Sequence, residues 1–415
     1  MSDNFTPANG ENPNLTEKKE ERRRGVPPLT AVVAVLLAAL LTALGCGFVF
    51  VRVLADRSEQ LGFLKKIQQL DALYRSDFVG DIDYDSVTEA LMHAYIGAID
   101  RYGYYLNEDD YADMMNKLKS TGVGLGIYVI ERDNGVEIQL VMEDTPAERA
   151  GLEVGDIIFG VGEARFADMS YNDFIAACKG EIGTTATVRY IRGGEEYSVD
   201  ITYAAYSIQT VVSKTLGGGI GYIYITGFES GTPREFVRAI EALKLAGCDR
   251  LVFDVRSNSG GLLDSVTEML DYVLGSCVIA TITDSKGNTV QTYYSNEFDG
   301  IEGMECAVLI NSGTASAAEL FSCALRDVKG TLLVGVNSYG KGTMQHIQSL
   351  GDGTGVGITT HFYNPPTTPN YDGVGLEPDI GVELPEEAMY YSVMNMPYEL
   401  DAQLRAAVEA LSGSN

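Results

Sequence analysis

Leu251-Val-Phe-Asp-Val-Arg-Ser-Asn-Ser-Gly-Gly-Leu-Leu263 is the stretch on which the fold turns. Leu251 to Val255 reads as a continuous apolar strand, the pattern expected when both faces of a strand are covered. Gly260 and Gly261 then let the backbone turn tightly and approach a ligand, and Asp264 to Leu274 reads as a helix. Outward from this unit the alternation continues. Gly221 to Thr226 is a predicted strand and Pro233 to Ala246 an amphipathic helix with Phe236, Ile240 and Leu243 on one face. Downstream, Ala307 to Ile310 is a strand, Ser316 to Val328 a helix and Thr331 to Val336 a strand. Strands alternating with helices indicate an α/β core, expected over residues 206–385 and followed by a helical segment at 386–415.

Chemistry concentrates on the loops of that core. Ser316 lies in Asn311-Ser-Gly-Thr-Ala-Ser-Ala-Ala-Glu319, on a tight strand-to-helix turn. Its hydroxyl would sit at the sheet edge, with the Ala317 N–H at a helix N-terminus where a developing oxyanion is stabilised. Ser316-Ala-Ala-Glu319 is equally a capping box, which needs no catalysis. Lys341 follows in Ser338-Tyr-Gly-Lys-Gly-Thr-Met-Gln345. A lysine in such a loop is ordinarily a solvated charge; as a general base it must be held neutral by burial or a cationic neighbour. Gln345 would orient the amine without adding charge, whereas a carboxylate there would raise the lysine pKa. The Gly260/Gly261 loop offers a second oxyanion donor or, more plainly, a turn before a helix. Asp254 and Arg256 suit pairing within the core. With only three histidines (His93, His346, His361), a histidine-based triad has few places to sit.

Upstream, residues 118–205 change texture to short strands and glycine turns. Gly122-Val-Gly-Leu-Gly-Ile127 places flexible glycines before a strand, so that backbone N–H groups can converge on a carboxylate. Thr145-Pro-Ala-Glu-Arg-Ala-Gly-Leu152 is a short capped helix closed by Gly151, feeding a strand at Gly155-Asp-Ile-Ile158. Residues 55–117 are helical in pattern, with Leu61, Leu64, Ile67, Leu70 and Leu73 at three- and four-residue steps, and read as an arm ending in a tyrosine-rich turn near Leu106. The stripe on this arm suits either a second copy of the chain or the chain's own body.

Leu29 to Val51 gives 23 residues without a charge, enough to span a hydrocarbon core of about 30 Å as a helix. Lys18, Lys19, Arg22, Arg23 and Arg24 precede it, which keeps the polar tail at 1–28 cytoplasmic and exports the remainder. We read this as a single-pass anchor; a cleaved signal peptide is the competing reading, with a shorter apolar run and an Ala-x-Ala site as its usual marks. The net charge of −28 over 415 residues excludes a nucleic-acid surface, which needs clustered Lys and Arg. The cysteines show no CxxC pair and sit mostly in apolar runs, so free thiols are expected rather than disulfides or a zinc site.

Taken together, these segments resemble two known families. Gly124-Leu125-Gly126-Ile127, followed by the capped helix and strand, resembles the carboxylate-binding loop of a PDZ domain. Phe253 to Gly261, Gly313 to Glu319 and Gly340 to Gln345 resemble, in order, the glycine-loop, nucleophile and base motifs of the carboxy-terminal processing peptidases, or tail-specific proteases. The likeness runs from about residue 60 to 385, including Gly375-Leu-Glu-Pro-Asp379. It implies an α/β serine-protease core related to the crotonase-like fold, with Ser316 as nucleophile, Lys341 as base and Gln345 as the residue that positions the lysine. It also implies a bacterial, membrane-anchored endopeptidase with its catalytic part outside the cytoplasmic membrane. Its PDZ domain would bind the C-terminal tails of protein substrates, and no metal or organic cofactor is required. Ser259 stands where many members have proline, and Lys179-Gly180 where many have Arg-Gly. A catalytically silent PDZ scaffold and a crotonase-type thioester enzyme are the alternative functions.

Overall fold

A computed structural model describes residues 58–413. The predicted anchor at Leu29–Val51 and the tail before it lie outside the described residues, and among those described no helix is long and apolar enough to cross a membrane. The chain divides into two compact units, residues 1–84 and 85–415. The described part of the first is helix α1 (Ser58–Asp77), along which Arg75 pairs with Asp71 at 2.8 Å.

The second unit opens within α2 (Tyr84–Ile99) and continues through β1 (Tyr104–Leu106) and α3 (Glu108–Leu118). Tyr104 to Leu106, expected as a turn, is thus a short strand. It finds a partner far along the chain, which local sequence cannot reveal. Strand β2 (Thr121–Gly124) then leads into a six-stranded antiparallel sheet. That sheet comprises β3 (Ile127–Arg132), β4 (Gly135–Val141), β5 (Ile157–Val161), β7 (Thr185–Arg192) and β8 (Glu195–Thr202); the short β6 (Ala164–Arg165) pairs with β5 off this main path, and α4 (Pro146–Arg149) and α5 (Tyr171–Ala177) are inserted. Its core is Val136, Ile138, Ile158, Val188 and Phe174, all essentially inaccessible to solvent. Strand β9 (Ala204–Ser207) returns antiparallel to β2, from Thr121 opposite Ser207 to Gly124 opposite Ala204. The module is therefore clasped where the chain enters and leaves it.

The remaining core holds two sheets. The first runs β10 (Val211–Gly217), β11 (Ile220–Ile225), β12 (Arg250–Asp254), β15 (Glu305–Ile310), β16 (Leu332–Gly335) and β19 (Ile380–Gly381), parallel except for the β10–β11 hairpin. Between its strands lie α6 (Thr232–Leu245), α7 (Leu263–Leu274) and α8 (Ala317–Lys329), and α9 (Ala402–Ser412) closes the chain. The strict two-residue period divides the side chains. Ile223, Ile225, Leu251, Phe253, Val308 and Ile310 join the layer containing α6, α7 and α8. Tyr222, Tyr224, Val252, Ala307 and Leu309 face the layer containing Leu404, Ala407 and Leu411 of α9. Both faces are covered, which is why these strands read as continuous apolar runs.

The second sheet pairs β13 (Val278–Thr283), β14 (Thr289–Tyr294), β17 (Thr343–Ser349) and β18 (Gly355–Asn364), and β1 adds to β18 at its edge. One buried cation lies where β12 ends. Arg256 pairs with Asp254 at 2.6 Å and with Asp401 at 2.7 Å, and donates to Gln403 at 3.0 Å. A fully buried arginine is tolerable only when its donors are met in this way. The network also pins the start of α9 to the loop that follows β12.

Candidate active site

The loop after β12 and the turn before α8 are sewn together by hydrogen bonds. Asn311 Oδ1 accepts from Ser257 N (2.8 Å) and Gly313 N (3.0 Å), Thr314 Oγ1 donates to Val255 O (2.8 Å), and Ala315 N donates to Asn258 O (2.9 Å). Ser316 emerges from this turn as the N-cap of α8 with φ 58° and ψ −121°. A left-handed φ at a residue bearing a Cβ costs roughly 1–3 kcal/mol and persists only where the surroundings impose it. Ser257, at φ 59° in the facing loop, is held the same way. Gly260 has to be glycine. A Cβ there would lie 2.8 Å from Ser316 Cβ and 3.0 Å from Ala317 N. Its N–H donates to Asn258 Oδ1 at 2.8 Å, so in this arrangement Gly260 supplies room beside the serine rather than an oxyanion donor. Gly261 is equally constrained, because a Cβ would meet Phe228 O at 2.3 Å.

Ser316, Ala317, Gly260, Gly261, Lys341 and Gln345 line one cavity of about 370 Å³. Its apolar wall comes from Met114 and Leu118 of α3, Leu262 and Leu263 at the start of α7, and Met344 and Ile347 of β17. Lys341 Nζ donates to Gln345 Oε1 at 2.5 Å and lies 5.7 Å from the centre of the Tyr102 ring. The Gln345 amide nitrogen donates to Tyr102 O, which turns the amide oxygen toward the lysine. Tyr102 in turn donates through its hydroxyl to Gly340 O at 2.8 Å. Burial lowers the Lys341 pKa, against the opposing charges of Asp100 and Glu319. Ser316 Oγ meets the Tyr363 hydroxyl at 3.0 Å.

Glu319 does more than cap a helix. Its buried carboxylate accepts from Ser316 N (2.9 Å), Gly340 N (2.7 Å), Lys341 N (2.8 Å) and Ser338 Oγ (2.5 Å). One side chain thereby fixes the backbone of both the serine turn and the lysine loop. Burial raises its pKa despite those four hydrogen bonds. The sequence flagged Glu319 as part of a capping box and as the last residue of the Gly313–Glu319 motif; its reach to residues 338–341 is a tertiary fact with no local signal. Tyr102 and Tyr363 were missed for the same reason, although Tyr102 stood in a tyrosine cluster that could have drawn notice.

In the smaller module, Gly124 ends β2, Leu125 and Gly126 form the turn before β3, and Ile127 opens that strand. Leu125 O accepts from Ala147 N (2.9 Å) and Gly126 O from Met142 N (3.0 Å). At φ 80°, Gly126 lies so close to Thr145 that a Cβ would approach its side chain to 2.3 Å. Strand β3 is an edge of its sheet, and Ile127 and Val129 of β3 together with Tyr171 and Ile175 of α5 are only partly covered.

Comparison with known proteins agrees with this geometry. Residues 219–382 match peptidase family S41, and residues 123–202 match a PDZ domain. A carboxy-terminal-processing protease of Bartonella bacilliformis is 30% identical over 347 residues, covering 82% of this chain and 80% of that protein. The carboxy-terminal processing protease CtpA of Bacillus subtilis is 27% identical over 387 residues, covering 90% and 78%. A crystal structure described as an S41 protease from Bacteroides fragilis superposes with a TM-score of 0.56 at 15% identity, over 81% of this chain and 93% of that one. That last likeness concerns fold alone. The chain belongs to peptidase family S41, among the carboxy-terminal processing serine proteases. It is a serine peptidase carrying a PDZ domain.

Proposed function

We propose that the chain is a membrane-anchored endopeptidase that cuts exported proteins with Ser316 as nucleophile, Lys341 as general base and Gln345 as the residue orienting the lysine. The observation that carries this reading is the shared cavity, lined both by a serine at a strained turn and by a lysine whose pKa burial lowers. Lys341 Nζ takes the Ser316 proton as Oγ attacks the scissile carbonyl, and returns it to the leaving amine. Water then attacks the acyl-enzyme with Lys341 again as base. The tetrahedral oxyanion rests on the N–H groups of Ala317, at the positive end of α8, and of Gly261.

The PDZ turn at Gly124 to Ile127 receives the substrate's terminal carboxylate, and the tail adds as a strand along β3. The apolar segment Leu29 to Val51 anchors the chain with its N-terminus in the cytoplasm and residues after it outside. Leu64, Leu70 and Leu73 of α1, each more than half exposed, suit a second copy of the chain. The decisive experiment incubates wild type and Ser316→Ala with a denatured exported protein. Cleavage by wild type alone is expected, and an identical fragment pattern from both would overturn the reading.

A further inference from the structure

The Tyr363 hydroxyl bridges the Ser316 side chain and the backbone of the lysine loop. It lies 3.0 Å from Ser316 Oγ and 2.9 Å from the backbone carbonyl of Lys341. A phenol has one proton to give, and a carbonyl can only accept. Both hydrogen bonds exist together only if Tyr363 donates to Lys341 O and receives the Ser316 proton on its own oxygen. Burial holds the phenol far above its usual pKa, so it stays protonated throughout the working range. Lys341 Nζ, meanwhile, points to Gln345 Oε1. In this arrangement the serine proton is directed at a phenol oxygen too weakly basic to remove it.

We propose that Tyr363 is a positioning residue that parks the Ser316 proton in the resting enzyme, competing with Lys341 for it. This rests on Ser316 being the nucleophile.

The connectivity supports the role. Tyr363 belongs to β18, and its N–H bonds Gly342 O at 3.2 Å. Asn370 donates to both Gly342 O and Tyr363 O at 2.9 Å. Tyr363 and the lysine loop are therefore tied directly to each other, and Glu319 of α8 ties that loop in turn to the serine turn. Turning the Ser316 hydroxyl away from the phenol and into the cavity that Lys341 also lines would offer its proton to the amine, without breaking the bond from Tyr363 to Lys341 O. The phenol ring is buried, its centroid 6.2 Å from that of Tyr371.

The test uses the full-length chain without peptide and follows the rate of labelling by a fluorophosphonate, which reacts with an activated serine hydroxyl. Tyr363→Phe removes only the oxygen. Labelling is expected to quicken roughly two- to tenfold, the range set by releasing one neutral hydrogen bond. The pH midpoint of the labelling rate, which reports Lys341, should stay in place while the plateau rises. A Tyr363→Phe protein with the wild-type unfolding midpoint that labels no faster, or whose pH midpoint moves as the rate falls, overturns the proposal. If that variant unfolds, 3-fluorotyrosine introduced at 363 retains the hydroxyl and weakens it as an acceptor. Faster labelling supports parking, and an equal or slower rate overturns it. Ser316→Ala separates the two readings. A wild-type rate of labelling in that variant removes the nucleophile assignment itself, whereas loss of labelling with no effect at Tyr363 removes only the parking role.

Discussion

The loops that carry the proposed nucleophile and the proposed base are held by different kinds of structure. Ser316 follows β15, whose Cys306 to Ile310 are buried on a parallel sheet covered on both faces, and it leads into a helix buried over its first nine residues. Lys341 precedes β17, which is largely half-exposed and pairs only with β18 in a sheet that also takes in β1. The proposed nucleophile is thus fixed by packing as well as by hydrogen bonds, and the proposed base chiefly by hydrogen bonds: Glu319 to the lysine loop, Gln345 to Tyr102, Tyr363 to Lys341 O. Close-packed interiors resist displacement, whereas a hydrogen-bonded edge can exchange partners at small cost. A site built across such a seam can be assembled or loosened by moving one side only.

The largest expected effect comes from the hydrogen-bonded side. Lys341→Ala should lower kcat/KM for a peptide substrate by about 10³-fold or more, as for other members of catalytic sets that act as a unit. In the wild type the rate should rise with pH through the Lys341 pKa, because only the neutral amine accepts the serine proton. Burial lowers that pKa, so the rising limb should fall below the ordinary lysine range. A limb at the usual lysine position would mean that the amine is solvated, and the contrast between the two sides would fail.

Glu319→Gln tests the bridge between the sides. An amide has one acceptor oxygen where the carboxylate has two, and its NH₂ would face donors it cannot serve. Activity is expected to fall about tenfold or more, with a loss of roughly 1–3 kcal/mol in unfolding free energy. Glu319 also raises the Lys341 pKa by its charge, so removing that charge should move the pH limb lower still while the plateau drops. A change in stability without the pH shift would make Glu319 a helix cap and nothing more.

The same contrast explains what could be read from the sequence. The parallel core was legible because burial on both faces writes itself as apolar runs, and the Ser316, Lys341 and Gln345 loops because each motif is contiguous. The second sheet was not. Thr343-Met-Gln-His-Ile-Gln-Ser349 is half-exposed, alternates weakly and carries no apolar run, so nothing local marks it as a strand. Tyr363 lies 47 residues from Ser316, and Tyr102 lies 243 from Gln345; only the sheet pairings bring them together. The hydrogen-bonded half of the site is therefore the half that sequence reasoning resolves least, apart from the two side chains fixed by one short motif.

The smallest expected effect lies at the PDZ boundary. Lys179 makes an ion pair with Asp113 of α3, whose Met114 and Leu118 line the candidate active-site cavity. Both partners are more than half exposed, so solvent and salt screen the pair and its contribution should lie within about 0–1 kcal/mol. Lys179→Ala should move the unfolding midpoint barely at all, and raising salt should erase what difference there is. The informative measurement is the rate of peptide cleavage. If a variant neutral in stability changes that rate severalfold, α3 transmits the position of the PDZ domain to the cavity wall. The adjustable side of the site would then extend beyond the lysine loop to the helix above it. An unchanged rate confines the adjustable part to the strands that carry Lys341 and Tyr363.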